Sequence, residues 1–157
     1  MSSAARWKGL EVHVDAGSFR AVDTRAIQHA VLLALESAGE GGPPSSAEIS
    51  VALVDDPAIS ALNARFLAKE GPTDVLAFSL GDAPDVVGDV YVGFEQASRQ
   101  AADLGISLAE ELVRLAIHGT LHVLGHDHPD GHERDDSPMF ALQERLVREA
   151  MRTSSAG

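Results

Sequence analysis

Residues 107–128 read Ser-Leu-Ala-Glu-Glu-Leu-Val-Arg-Leu-Ala-Ile-His-Gly-Thr-Leu-His-Val-Leu-Gly-His-Asp-His, and the rest of the chain is best read outward from them. Ser107 and Glu110 form a capping-box pair that starts a helix. Leu108, Leu112, Leu115, Ala116 and Leu121 then recur at helical spacing, which gives the segment an apolar face. Gly125 should end the helix, because glycine turns left-handed without steric cost. On a helix, side chains at i and i+4 share a face about 6 Å apart, so His118 and His122 can converge on one ion. A third ligand cannot come from the same straight helix, since six more residues carry the chain about 9 Å further. The turn at Gly125 brings His128 within reach. His126 competes for that place but follows too soon after the helix ends, and is assigned either to support a ligand from behind or to the cleft wall. Three protein ligands leave a position open for water or substrate, as in catalytic rather than structural zinc sites.

The flanking segments supply a sheet and more helices. Leu10 to Val14 alternates apolar and polar residues as a half-buried strand does. Asp23 or Thr24 caps a helix to about Ala38, with Ile27, Val31, Leu32 and Leu35 on one face, before Gly39 and a Gly/Pro/Ser loop. Ile49 to Val54 is a second strand, and Asp56 as cap with Pro57 in the first turn opens a helix through Ile59, Leu62 and Phe66. Thr73 to Leu80 and Asp89 to Val92 make a third and a fourth strand. One helix runs from near Phe94 to just before Gly105, and Ser137-Pro138 start a last one reaching about Ala150. The spacing predicts an α+β fold in a single domain spanning residues 1–157. Its small mixed sheet has four strands, packed with about five helices, with a frayed tail over 152–157.

Composition narrows the function. The chain has 157 residues, 45% hydrophobic, which suits one core. It has no cysteine, so any metal must sit on nitrogen and oxygen ligands. No stretch approaches the roughly 20 apolar residues of a membrane span, and Met1 to Gly9 lacks the apolar run of a signal peptide, so a cytoplasmic protein is expected. The net charge of -12, from 24 acidic and 12 basic residues, argues against charge-driven binding to nucleic acid at large, DNA included. A local basic groove remains compatible with it.

The histidine spacing also matches the zinc-peptidase pattern H-E-x-x-H-x-x-G-x-x-H, except that Gly119 stands where the glutamate base should be. An ordinary metallopeptidase is therefore disfavoured. Asp127 could act as a base or orient a ligand histidine, or could simply close a turn. His13 and His29 read as structural or exposed, and His132 as solvated.

The segment from His118 to His128 closely resembles the signature of the YbeY family, bacterial metal-dependent endoribonucleases. Leu62-Asn63, Pro72-Thr73-Asp74-Val75-Leu76-Ala77-Phe78 and Gly88-Asp89-Val90 resemble its other segments, in the same order. The resemblance implies an α+β domain with one ion, zinc or another divalent metal such as nickel, at the base of a cleft. It also implies single-strand-specific cleavage in maturing the 3′ end of small-subunit ribosomal RNA, and a part in ribosome quality control. The expected partners are ribosomal RNA on ribosomal particles and, with so acidic a surface, ribosomal proteins. One departure stands out: the family arginine has no counterpart, its position being Leu67. Lys69 or Arg65 could replace it, or both could be surface charges. Lys69, Arg65 and Asp127 are the candidate catalytic residues; His118, His122 and His128 are the candidate ligands. A zinc hydrolase of another substrate, or a non-catalytic ribosome-associated factor, are the rival readings.

Overall fold

The computed structural model describes residues 2–37, 43–81, 85–127 and 137–156. It is an α+β domain in which the described residues form five strands: β1 (Ser2–Trp7), β2 (Leu10–Asp15), β3 (Ser46–Val54), β4 (Val75–Ser79) and β5 (Asp85–Gly93). Among the described residues there are also five helices: α1 (Thr24–Ser37), α2 (Asp56–Leu67), α3 (Phe94–Leu104), α4 (Leu108–Val123) and α5 (Pro138–Ala156). The sheet order is β1-β2-β3-β5-β4. β2, β3 and β5 run parallel, while β1 and β4 pair antiparallel at the edges.

The mixed sheet thus has five strands where the sequence suggested four. The missed strand, β1, lacks the apolar alternation of its partner. It is defined by pairing instead: Lys8 and Gly9 both take positive φ, 47° and 83°, as a two-residue hairpin turn requires, and Trp7 faces Leu10.

Alternation decides which side of the sheet is covered. Leu10, Val12 and Val14 of β2, Ala47, Ile49, Val51 and Leu53 of β3, and Val90 and Val92 of β5 are buried in one cluster. Ile27, Val31 and Leu35 of α1, Leu112, Leu115, Ile117 and Leu121 of α4, and Leu146 and Val147 of α5 complete that core. Burying each such side chain stabilises the fold by about 1.5–3 kcal/mol, which fixes α4 against the sheet. On the alternate positions of β4 and β5, Phe78 and Tyr91 instead meet each other, and Phe78 meets Phe66 of α2.

Helix boundaries follow their caps. Asp23 accepts from Ala26 N–H, Ser107 from Glu110 N–H and Ser137 from Phe140 N–H. In α2 the cap is Asp55, which accepts from Ala58 N–H, so Asp56 and Pro57 are already helical and the expected start shifts by one residue. At the other end of the chain, helix continues to Ala156 where fraying was expected from about residue 152. Thr153, hydrogen-bonded to His29 of α1 at 3.1 Å, ties this last stretch down.

Candidate metal centre

The apolar face of α4 places His118 at the edge of the core, with 8% of its surface exposed, and the half-buried His122 one turn later. Their rings meet edge to face, and the two Nε2 atoms lie 3.1 Å apart. Ligand nitrogens at about 2.0–2.1 Å from a tetrahedral ion stand about 3.3 Å from one another, so this pair fits two corners of such a site. Among the described residues no group of three metal-ligating side chains forms. His128 lies outside the described residues, as does His132.

Gly125 does what its position predicts. Its φ is 97°, and it closes α4 with a Schellman turn: Gly125 N–H donates to His122 O at 3.0 Å and His126 N–H to Leu121 O at 2.9 Å. The chain beyond His122 is therefore turned back, with His126 half-buried and Asp127 exposed on that turn.

Gly119 has a packing reason. A Cβ there would lie 2.5 Å from Val90 Cγ1 and 3.3 Å from Val75 Cγ2. Gly88 on β5 is the counterpart, since a Cβ on it would lie 2.5 Å from Val123 Cγ1. The two glycines let α4 settle close on β5 and hold the histidine turn against the sheet. A glutamate at 119 would point into that contact, so the peptidase base has no place in this packing.

A network that sequence reasoning missed stands behind His118. Its Nδ1 lies 2.6 Å from Oε1 of Gln143, a residue of α5. Gln143 Nε2 donates to Glu144 at 3.0 Å, and Glu144 takes two bonds from Arg114, each 2.9 Å. Arg114 also binds Glu110 and the buried Glu111, and Gln100 of α3 donates to Glu111 at 2.8 Å. The bonds to Glu144 raise the Arg114 guanidinium above its usual value against the opposing effect of burial, and those to Glu111 and Glu110 add to the rise. The spacing of Glu110, Glu111 and Arg114 on one helix is readable in the sequence; a partner on another helix is not.

Arg65 and Lys69 flank the C-terminal end of α2. α2 ends at Leu67, and Ala68 turns left-handed with φ 54°. The buried Asn63 holds this turn, accepting from Lys69 N–H at 3.3 Å and donating to Gly71 O at 3.1 Å. Lys69 is exposed on the bend, and Arg65 lies over the Phe66 ring at 5.3 Å. Leu67 is 46% exposed. Asp74 precedes β4, and its carbonyl accepts from the N–H of Gly93, the last residue of β5, at 2.8 Å. His13 pairs with Glu11 at 2.9 Å, away from the helix layer.

Residues 14–151 match the family model described as Endoribonuclease YbeY. The chain belongs to the YbeY family. The Endoribonuclease YbeY of Geobacillus kaustophilus is 36% identical over 151 residues, covering 88% of this chain and 96% of that protein. That of Synechococcus sp. strain CC9605 is 47% identical over 113 residues, 66% of this chain and 67% of its own. The solution structure of a Thermotoga maritima protein superposes with a TM-score of 0.62 at 26% identity, covering 94% of this chain and 92% of that one. The YbeY match spans α4, α5 as far as Met151 and the turn after α2, so every candidate residue falls within it.

Proposed function

We propose that this chain is a metal-dependent endoribonuclease that cuts single-stranded RNA, acting in maturation of the 3′ end of small-subunit ribosomal RNA and in ribosome quality control. The observation that supports it most is the meeting of His118 and His122 through their Nε2 atoms at 3.1 Å, in a chain of the YbeY family. His118, His122 and His128 would hold one zinc ion, or another divalent ion such as nickel. When bound, such an ion supplies Lewis acidity toward a phosphate oxygen and makes water a stronger nucleophile.

The residues of the chain have separate tasks. His118, His122 and His128 would hold the ion through neutral imidazoles, and three protein ligands would leave room beside it for substrate. Asp127, exposed on the turn beyond His122, can take a proton from the attacking water or orient a ligand. Lys69 offers a mobile positive charge toward the phosphate; Arg65, already over the Phe66 ring, is the poorer candidate. With a net charge of -12, free RNA should be held weakly and with little salt dependence. Substrate is therefore presented by ribosomal particles in the cytoplasm, with ribosomal proteins meeting the acidic faces. No helix among the described residues is long and apolar enough to cross a membrane.

Cleavage of single-stranded and structured RNA, with and without chelator, tests this. Chelation should abolish cleavage and zinc should restore it. Metal-free protein that cuts RNA at an unchanged rate contradicts the proposal. The exposed Leu67 favours one rival, a metal-stabilised factor without nuclease activity, which the same assay would reveal as inert with zinc bound.

A further inference from the structure

Gln143 links α5 to the histidine pair, and both ends of its side-chain amide are accounted for. The NH2 end donates to Glu144 Oε2 at 3.0 Å, so the end 2.6 Å from His118 Nδ1 is the carbonyl oxygen. A carbonyl oxygen only accepts, so that contact requires the hydrogen on Nδ1. Nε2 of the neutral ring then keeps its lone pair, and this is the atom that faces His122.

Glu144 is not free to swing away and release the amide. Its two oxygens take Arg114 Nε and Nη2, at 2.9 Å each. Arg114 is itself held on α4 by Glu110 at 3.1 Å and Glu111 at 3.0 Å. The orientation of His118 is thereby tied to the docking of α5 on α4.

We propose that Gln143, held by Glu144 and Arg114, is a positioning residue that locks His118 in its Nδ1–H tautomer and so sets the affinity of the histidine site for a divalent ion. The inference rests on the metal-site reading above. Without the acceptor, His118 shares its hydrogen between both nitrogens, and ligation through Nε2 must first move it. Loss of a partner of this kind weakens metal affinity about 10–100-fold. Because coupling is reciprocal, ion binding strengthens the α4–α5 contact by the same factor.

The experiment uses the full chain. Nitrogen-15 NMR of the histidine rings in metal-free protein reads the tautomer, and zinc titration against a competing chelator reads the affinity. Gln143→Met keeps the length and removes the acceptor, while Gln143→Glu retains one. The wild-type protein should show His118 as the Nδ1–H form. Gln143→Met should lose that preference and bind zinc about 10–100-fold more weakly, and Gln143→Glu should stay within about threefold of wild type. The tautomer measurement on the wild-type protein needs no variant to fold, and an Nε2–H form there overturns the inference. So does a folded Gln143→Met protein with unchanged zinc affinity. A wild-type protein that binds no zinc overturns the metal-site reading, which separates the two failures.

Discussion

Replacing Arg114 with leucine removes the cation on which Glu110, Glu111 and Glu144 converge. The cost is dominated by Glu111, whose side chain is 3% exposed and would be left charged and without its cation. Breaking a buried pair on one side costs about 3–5 kcal/mol. Gln100 keeps its 2.8 Å bond to Glu111, which puts the expectation at the lower end, about 3 kcal/mol. Glu110 and Glu144 are 29% and 23% exposed and add less than about 1 kcal/mol each. In a chain of this size the melting temperature should fall by about 6–12 °C. A pH signature accompanies it. Burial raises the Glu144 carboxyl, but hydrogen bonds from Arg114 and Gln143, with the charges of Arg114 and Arg148, outweigh this and leave it below its usual value of 4.5. A carboxyl lowered in the folded state stabilises above its unfolded value, and that contribution is lost as pH falls through the folded value. The gap between wild type and Arg114→Leu should therefore narrow from neutral pH to about pH 4. Urea denaturation in chelator, at both pH values, measures it. A gap under about 1 kcal/mol at neutral pH, or one that widens on acidification, refutes the reasoning. Glu111→Leu combined with Arg114→Leu should recover more than half the loss, because no buried charge is then left alone.

Three further expectations follow from the packing and the site. Gly119→Ala places a Cβ 2.5 Å from Val90 Cγ1, a fully buried side chain with nowhere to move. Thermal denaturation should show an overpacking cost of about 1–3 kcal/mol, only partly offset by about 1 kcal/mol of helix propensity. Asn63→Ala removes the bond to Gly71 O from a buried position and should cost about 1–3 kcal/mol in urea denaturation. Leu67→Arg restores the charge that the family resemblance leads one to expect and should raise RNA cleavage about tenfold or more, whereas an unchanged rate would indicate that Lys69 already fills the role.

How much of this was legible in the sequence varies with the range of the interactions. Helix α4, its cap at Ser107 and its end at Gly125 rest on contacts within six residues, and all three can be read from residue order alone. The approach of His118 to His122 is likewise a property of one helix. β1 was missed because Ser2 to Trp7 has no periodicity of its own and becomes a strand only by pairing with β2. The cap of α2 fell on the wrong one of two adjacent aspartates, a choice that only the bond from Ala58 N–H resolves. Gln143 could not be found, since it meets His118 across 25 positions of sequence and a glutamine carries no signal of what it faces. Gly119 stands out in the sequence for the base it lacks; that Val90 also demands a glycine there is a tertiary fact.

The claim that one ion sits on these histidines is most directly tested by the metal content of purified protein, wild type against His118→Ala, His122→Ala and His128→Ala, measured by mass spectrometry. Wild-type protein should carry about one divalent ion per chain, and each variant should lose it while keeping its helical circular dichroism. Folded variants that retain a full equivalent of metal would place the ion elsewhere and contradict the account.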